Sequence, residues 1–227
     1  MPGSLAHEPL TRSVEDYLKA IYHLSSKGEP AGTNDIAHLL ALSPPSVSGM
    51  IKRLAEQGLI AHAPYRGSEL TDQGRRLALR MVRRHRLLEA YLVEFLGYDW
   101  DTVHEEAERL EHAVSETLIE RMAAALGNPR TDPHGDPIPM ADGTIHEFVF
   151  NPLPDIATGS VVEIRRVNAS EPERLRYLAS LGLKPGTVVT LLDRQPFNGP
   201  ISIRTGTHDH VIGHDLAMGL LCAPVEG

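Results

Sequence analysis

Cysteine occurs once in the 227 residues, at Cys222, which excludes an internal disulfide, a thiolate-bound metal cluster and a zinc finger. Any metal this chain binds must therefore be held by His, Asp and Glu. Long apolar runs are missing too: no window approaches about 18 uncharged apolar residues, the length that would suggest a membrane span. The opening MPGSLAHEPLTRS has no basic stretch followed by an apolar one, so no secretory signal is indicated and a cytoplasmic location is expected. No internal repeat recurs. With 41% hydrophobic and 23% charged residues, the composition is that of a globular chain and not of a disordered one.

Positive charge is outweighed overall, at a net -8, but the balance is uneven. Residues 1–90 carry 12 Lys and Arg against 9 Asp and Glu, residues 91–150 carry 3 against 13, and residues 151–227 carry 7 against 8. A mildly basic first part beside a strongly acidic middle fits a chain in which one part meets phosphates and another holds cations.

The spacing of Val14, Tyr17, Leu18, Ile21, Tyr22 and Leu24 predicts a helix over 13–26, with Ser13 and Asp16 in capping positions. TNDIAHLLAL from Thr33 and SPPSVSGMIKRLAEQGL from Ser43 read as two compact helices meeting at a tight turn, Pro44 and Pro45 fitting the first turn of the second. LIAHAPYRGSEL reads as two short strands around Tyr65-Arg66-Gly67. Helix, helix-turn-helix and hairpin together make a winged helix. Thr71-Asp72 caps a helical run to about 96, and a second run is expected from about 101 to 126, ending at Gly127-Asn128-Pro129. A stretch rich in proline and glycine follows and reads as a linker. SVVEIRRV, TVVTLLD, ISIRTG and HVIGHD are short strand-like runs interrupted by a helical piece near Glu171 to Leu181, suggesting a small barrel.

A recognition helix enters the major groove with its first residues at base edges and its flanks on phosphate. Here that places Thr33, Ser43, Pro45, Ser46 and Ser48 near DNA, with Lys52 and Arg53 toward the backbone and Arg66 at the wing tip. The competing reading is a winged helix used as a protein-binding module, with Ser and Pro serving only as caps.

In the acidic run, His104, Glu108, Glu111 and His112 recur at i, i+4, i+7 and i+8, and His85 and Glu89 form another i, i+4 pair. Imidazoles and carboxylates without sulfur suit manganese, iron or zinc, and lean toward the harder ions. Asp16 is the natural further ligand. A solvated acidic helix face is the plain alternative. Glu108 to His112 also come within one substitution of the inverted zinc-protease motif H-x-x-E-H, but the first position is Glu, so no enzyme and no small-molecule substrate are expected.

With these parts in order, the chain resembles the diphtheria-toxin-repressor family of metal-dependent transcriptional regulators over nearly its whole length. EDYLKAIYHL, IAHLLALSPPSVSGMIKRLAEQGLI, YRGSELTDQGR, RRHRLLEAYL and VHEEAERLEHAVS carry the resemblance, and LGLKPGTVVTLLDRQPFNGPISIR is similar to the SH3-like, ferrous-transport-protein-A-like barrel of longer members. The resemblance implies a mainly α protein with a small β domain: a winged helix-turn-helix DNA-binding domain over 1–74, a helical metal-binding and dimerisation domain over 75–140, a linker over 141–158 and an SH3-like domain over 159–227. It implies a primary metal site of Asp16, Glu108, Glu111 and His112, and an ancillary site of His85, Glu89 and His104. Glu171 matches a barrel ligand of some members, but Arg174 stands where its partner ligand would be.

Iron-responsive members have Met and Cys where this chain has Asp16 and Glu108, which favours Mn2+, with Fe2+ as the alternative and Co2+, Zn2+ or Cd2+ as substitutes in vitro. Lys19 departs from the pattern of two-domain manganese regulators, which carry an acidic ligand there. The implied action is metal-gated repression at a palindromic operator by a homodimer. Leu87, Leu88, Tyr91, Leu92, Phe95, Leu118 and Met122 are candidates for its contact or for the internal core.

Overall fold

The computed structural model describes residues 11–25, 28–63, 66–169 and 171–225. These fall into two compact units. One holds the described residues up to Arg84 together with Pro139–Ile145, and the other holds His85–Ile138 and the chain from His146 onward.

In the first unit, helices α1 (Arg12–Ser25), α2 (Thr33–Leu39) and α3 (Pro44–Glu56) precede a hairpin of β1 (Ile60–Ala63) and β2 (Gly67–Leu70). Helix α1 begins at Arg12, with the Thr11 carbonyl accepting from the Val14 and Glu15 amides, so Ser13 lies inside the helix and is not its cap. Tyr65 and Ser26 lie outside the described residues. Leu18, Ile21, Ile36 and Leu54 are wholly buried in one core with Val47 and Ile51, each burial contributing about 1.5–3 kcal/mol. Ser68 of β2 pairs backbone to backbone with Ala31, which adds a short third edge to the hairpin. At Gly67, φ is +96°, and an added Cβ would meet the Ala31 carbonyl at 2.8 Å. Only glycine lets the two chains come this close there.

Helix α4 (Asp72–Leu96) starts in this unit, its first turn capped by Thr71, whose hydroxyl accepts from the Gly74 amide at 3.1 Å. Ile145 packs on the first core, and Arg83 donates to the Pro139 carbonyl at 2.8 Å.

In the second unit, the run expected as one helix is two: α5 (Val103–Leu110) and α6 (Glu116–Ala125). Ser115 breaks it by capping α6, its hydroxyl accepting from the Leu118 amide at 3.2 Å. Leu87, Leu88, Ala107, Ile119 and Ala123 form a small core. Leu87, Leu88 and Leu92 are therefore interior residues, whereas Phe95 and Leu118 stay 50% and 42% exposed.

A six-stranded sheet curls through β3 (Asn151–Pro152), β4 (Val161–Val167), β5 (Val188–Arg194), β6 (Ile201–Thr205), β7 (His208–Ile212) and β8 (Leu220–Pro224), with every pairing antiparallel. The strand order is β3-β8-β4-β5-β6-β7, leaving β7 at an edge. Helix α7 (Pro172–Ser180) and the short α8 (His214–Met218) complete it. HVIGHD thus ends a strand and opens a helix. Within the span expected as linker, Asn151–Pro152 is already strand and Leu153 is wholly buried in the barrel core.

Candidate metal centre and DNA-binding surface

Residues 85–90 of α4 are buried all round, so the polar side chains in that turn need partners. His85 has them on both ring nitrogens. Its Nδ1 lies 2.6 Å from Glu111 Oε2, and its Nε2 lies 2.9 Å from Glu89 Oε1 and 3.0 Å from His104 Nδ1. Glu108 Oε1 stands 3.8 Å from His85 and 3.7 Å from His104. A neutral imidazole has one N–H, so it cannot satisfy two carboxylates without further positive charge, which a proton or a metal ion supplies. His85, His104 and Glu108 each offer a ligand atom, all within 4.8 Å of one another.

A second group shares Glu89: Glu89, Asp132 and His134, all buried, bring their ligand atoms within the same 4.8 Å. Burial opposes ionisation of Glu89, but the His85 charge, hydrogen bonds from His104 and His85, and the nearby His134 outweigh it and hold the carboxyl well below its ordinary range. Burial first, then the charges of Asp136 and Glu89, push Asp132 up to about 7. His134 is disfavoured as a cation by burial, yet the neighbouring Glu89 carboxylate at 3.8 Å and the charge of Asp132 raise it to about 9.

The loop is built to hold these groups. Asp132 Oδ1 accepts from the His134 and Asp136 amides at 2.8 and 3.0 Å. His134 Nε2 reaches the Trp100 carbonyl at 2.7 Å, and its ring stacks on Trp100 at 5.3 Å between centroids. Trp100 itself sits in the barrel core. At Gly135, φ is +88° and a Cβ would meet the Arg165 carbonyl at 2.1 Å. Arg86 and Arg166 pair with Asp136.

Helical hydrogen bonding carries on past Leu110, the Glu111 amide donating to the Ala107 carbonyl at 2.9 Å. Glu108 faces His85 and His104, while Glu111 closes α5 and His112 stands in the turn beyond, its Nε2 3.4 Å from Glu111 Oε1. Three of the four residues read from the spacing, His104, Glu108 and Glu111, thus meet His85 from one helical face, and His112 follows beside Glu111. Asp16 is half-buried on α1 of the first unit. Glu171 precedes α7, and its carboxylate pairs with Arg174 at 3.6 Å. Asp132 and His134 were not among the sequence candidates. Their only signal is an acid and an imidazole two apart in DPHG, inside a stretch that reads as a linker.

Oxygen and nitrogen donors without sulfur fit a divalent first-row ion, and the buried acids need the charge it would bring. Across the first unit, Ser43, Pro45, Ser46, Ser48, Lys52 and Arg53 are exposed on α3 opposite the buried Val47, Ile51 and Leu54. Ser43 caps the helix and its hydroxyl meets that of Ser46 at 2.9 Å, while the Ser48 hydroxyl donates to the Pro44 carbonyl at 3.0 Å. Thr33 is half-buried at the start of α2, and Arg66 is exposed beside the hairpin.

A winged helix followed in one chain by buried imidazole and carboxylate clusters and a small barrel defines a metal-dependent DNA-binding regulator. Three family profiles match in the same order: the N-terminal DNA-binding domain of iron-dependent repressors over residues 9–68, their metal-binding and dimerisation domain over 71–140, and the FeoA domain over 151–224. The iron-dependent repressor IdeR of Mycobacterium tuberculosis is 32% identical over 92% of this chain and 95% of its own length. The diphtheria toxin repressor of Corynebacterium diphtheriae is 31% identical over the same shares, 92% and 95%. A solved manganese-dependent transcriptional repressor in complex with manganese is 40% identical with a TM-score of 0.86, covering 93% of this chain and 100% of that one. The chain belongs to the diphtheria-toxin-repressor family: it is a metal-dependent transcriptional repressor that binds DNA and carries a dimerisation domain, not an enzyme.

Proposed function

We propose that Mn2+ is the ion that switches this repressor on, and that the active homodimer binds a palindromic operator controlling metal-homeostasis genes. The observation that carries the metal reading is the all-oxygen-and-nitrogen donor set around His85, with Glu89, Glu108, Glu111 and His104 converging on two buried imidazole nitrogens and their neighbours. Asp16, Glu108, Glu111 and His112 are assigned to the primary site. His85, Glu89 and His104 are assigned to the ancillary one, with Asp132 and His134 as further donors through the shared Glu89. The carboxylates at Asp16 and Glu108 favour Mn2+ over ions that prefer sulfur, and a manganese-dependent repressor is among the solved structures most like this chain.

A bound divalent cation would add positive charge among these clustered acids. The chain's own part is to hold Glu89 ionised, to orient His85 through carboxylates on both nitrogens, and to set Glu111 at the end of α5 facing His85. Operator reading is assigned to Thr33, Ser43, Pro45, Ser46, Ser48, Lys52, Arg53 and Arg66, with the two copies presenting their α3 helices to successive half-sites. Glu171, paired with Arg174, is an accessory to the ancillary site at most. Fe2+ is the second reading, favoured by the iron-dependent relatives matched along 92% of the chain.

The test is selection from a random duplex pool under Mn2+, anaerobic Fe2+ and chelator, followed by binding measurements on the recovered palindrome. Recovery with Mn2+ and not with chelator is expected, with weaker binding under Fe2+. Equal binding in chelator would sink the metal gate, and tighter binding under Fe2+ would reverse the metal assignment. His85→Ala is expected to lower the Mn2+-dependent gain in DNA affinity at least tenfold.

A further inference from the structure

We propose that His208 and His210 form a separate metal site on the rim of the barrel, a two-imidazole chelate for a divalent ion of the copper, nickel or zinc kind. Side chains alternate along a strand, so His208, His210 and Ile212 share one face of β7. Ile212 is buried in the barrel core, His210 is half-buried and His208 is exposed. That face runs outward from the core to solvent and ends in two histidines two residues apart on the strand.

Each ring is held from one nitrogen. Thr205 Oγ1 of the neighbouring β6 lies 3.0 Å from His210 Nε2, and Thr207 Oγ1 makes a longer contact of 3.4 Å with His208 Nδ1. The opposite nitrogens, Nδ1 of His210 and Nε2 of His208, are left to coordinate. A ligating histidine is ordinarily fixed through its other ring nitrogen in this way. Asp209 points to the other face, where Arg204 engages both its oxygens at 2.6 and 2.9 Å, so Asp209 does not join the pair. Because β7 pairs only with β6, its outer side stays open for water to fill the remaining coordination positions.

The donor chemistry decides which ion binds. Two neutral imidazoles and water rank Cu2+ above Ni2+ and Zn2+, and all three above Mn2+. With few carboxylates to suit a harder ion, the rim pair is a poor site for Mn2+.

The experiment titrates the untagged full-length protein with Cu2+ by calorimetry and follows the bound ion by electron paramagnetic resonance. His208→Ala/His210→Ala is expected to bind one copper equivalent fewer per chain and to lose a two-nitrogen component of the spectrum. Thr205→Val should weaken that equivalent by about tenfold or more through loss of the ring's anchor. His214→Ala, on α8, should match the wild type. Unchanged stoichiometry and spectrum in the double variant, or an equal loss in His214→Ala, overturns the proposal. The single variant His208→Ala, at an exposed strand end, repeats the test should the double variant fold poorly.

Discussion

Ala41 holds φ +53° in the turn between α2 and α3, a left-handed conformation that costs an L-residue about 1–2 kcal/mol. Glycine adopts it without that cost but loses more freedom on folding. Ala41→Gly is therefore expected to stabilise the helix-turn-helix by about 0.5–1 kcal/mol, read as a higher midpoint in denaturant melts. A lower midpoint would mean that the turn is not under strain. Cys222 is the opposite case, a residue comfortable where it lies. Burial raises its thiol to about 12 from an ordinary 9.0. The native protein should leave a thiol reagent unreacted at pH 8, with one thiol per chain appearing on denaturation. The sign of the linkage also follows: above about pH 9 the unfolded chain ionises this thiol and the folded chain does not, so this group's contribution to stability is lost as pH rises toward 12.

Among the elements, α4 makes the sharpest demand on one position. A Cβ on Gly74 would stand 1.9 Å from the Leu59 carbonyl, a backbone atom that cannot swing aside. Gly74→Ala should destabilise the first unit by more than about 2 kcal/mol, visible as loss of its cooperative unfolding transition, although alanine is the better helix former. Where spacing and caps were strong, the elements were legible: Thr71 before α4, Ser43 and Pro44 before α3, and the glycine between two short strands. The break at Ser115 was not. Residues from Val103 to Ala125 contain neither glycine nor proline, and a serine within a helical pattern carries little weight until its hydroxyl is seen to cap the next helix. That break falls beyond the site, since Glu108, Glu111 and His112 all precede Ser115. Asp132 and His134 were hidden for a related reason. They stand in a loop whose form comes from Asp132 accepting two amides and from Gly135 lying against Arg165, which are contacts no periodicity encodes. His85, Glu89 and His104 were readable because i, i+4 pairing on a helix already implies adjacency.

For the molecule as a whole, the net charge of -8 would repel DNA were it evenly spread, so binding must rest on the basic first part. Lys52→Ala and Arg53→Ala are each expected to weaken operator binding across sequences and to reduce the salt dependence of log affinity by about one unit of slope. An unaltered slope would remove these residues from the phosphate contacts. The single tryptophan offers a second whole-molecule readout. Trp100 stacks on His134 while sitting in the barrel core, so a paramagnetic ion at Glu89, Asp132 and His134 should quench its emission. Mn2+ is expected to quench the wild type strongly and His134→Ala little. Equal quenching in both would place the ion elsewhere.

The buried thiol of Cys222 has a practical corollary for anyone wishing to watch the switch operate. A protein whose native sulfhydryl is silent to reagents accepts two introduced surface cysteines as its only points of attachment. A spin label or fluorophore pair, one on α3 and one on the barrel, could then be fixed without first engineering the native residue away, and the distance between them measured with and without metal.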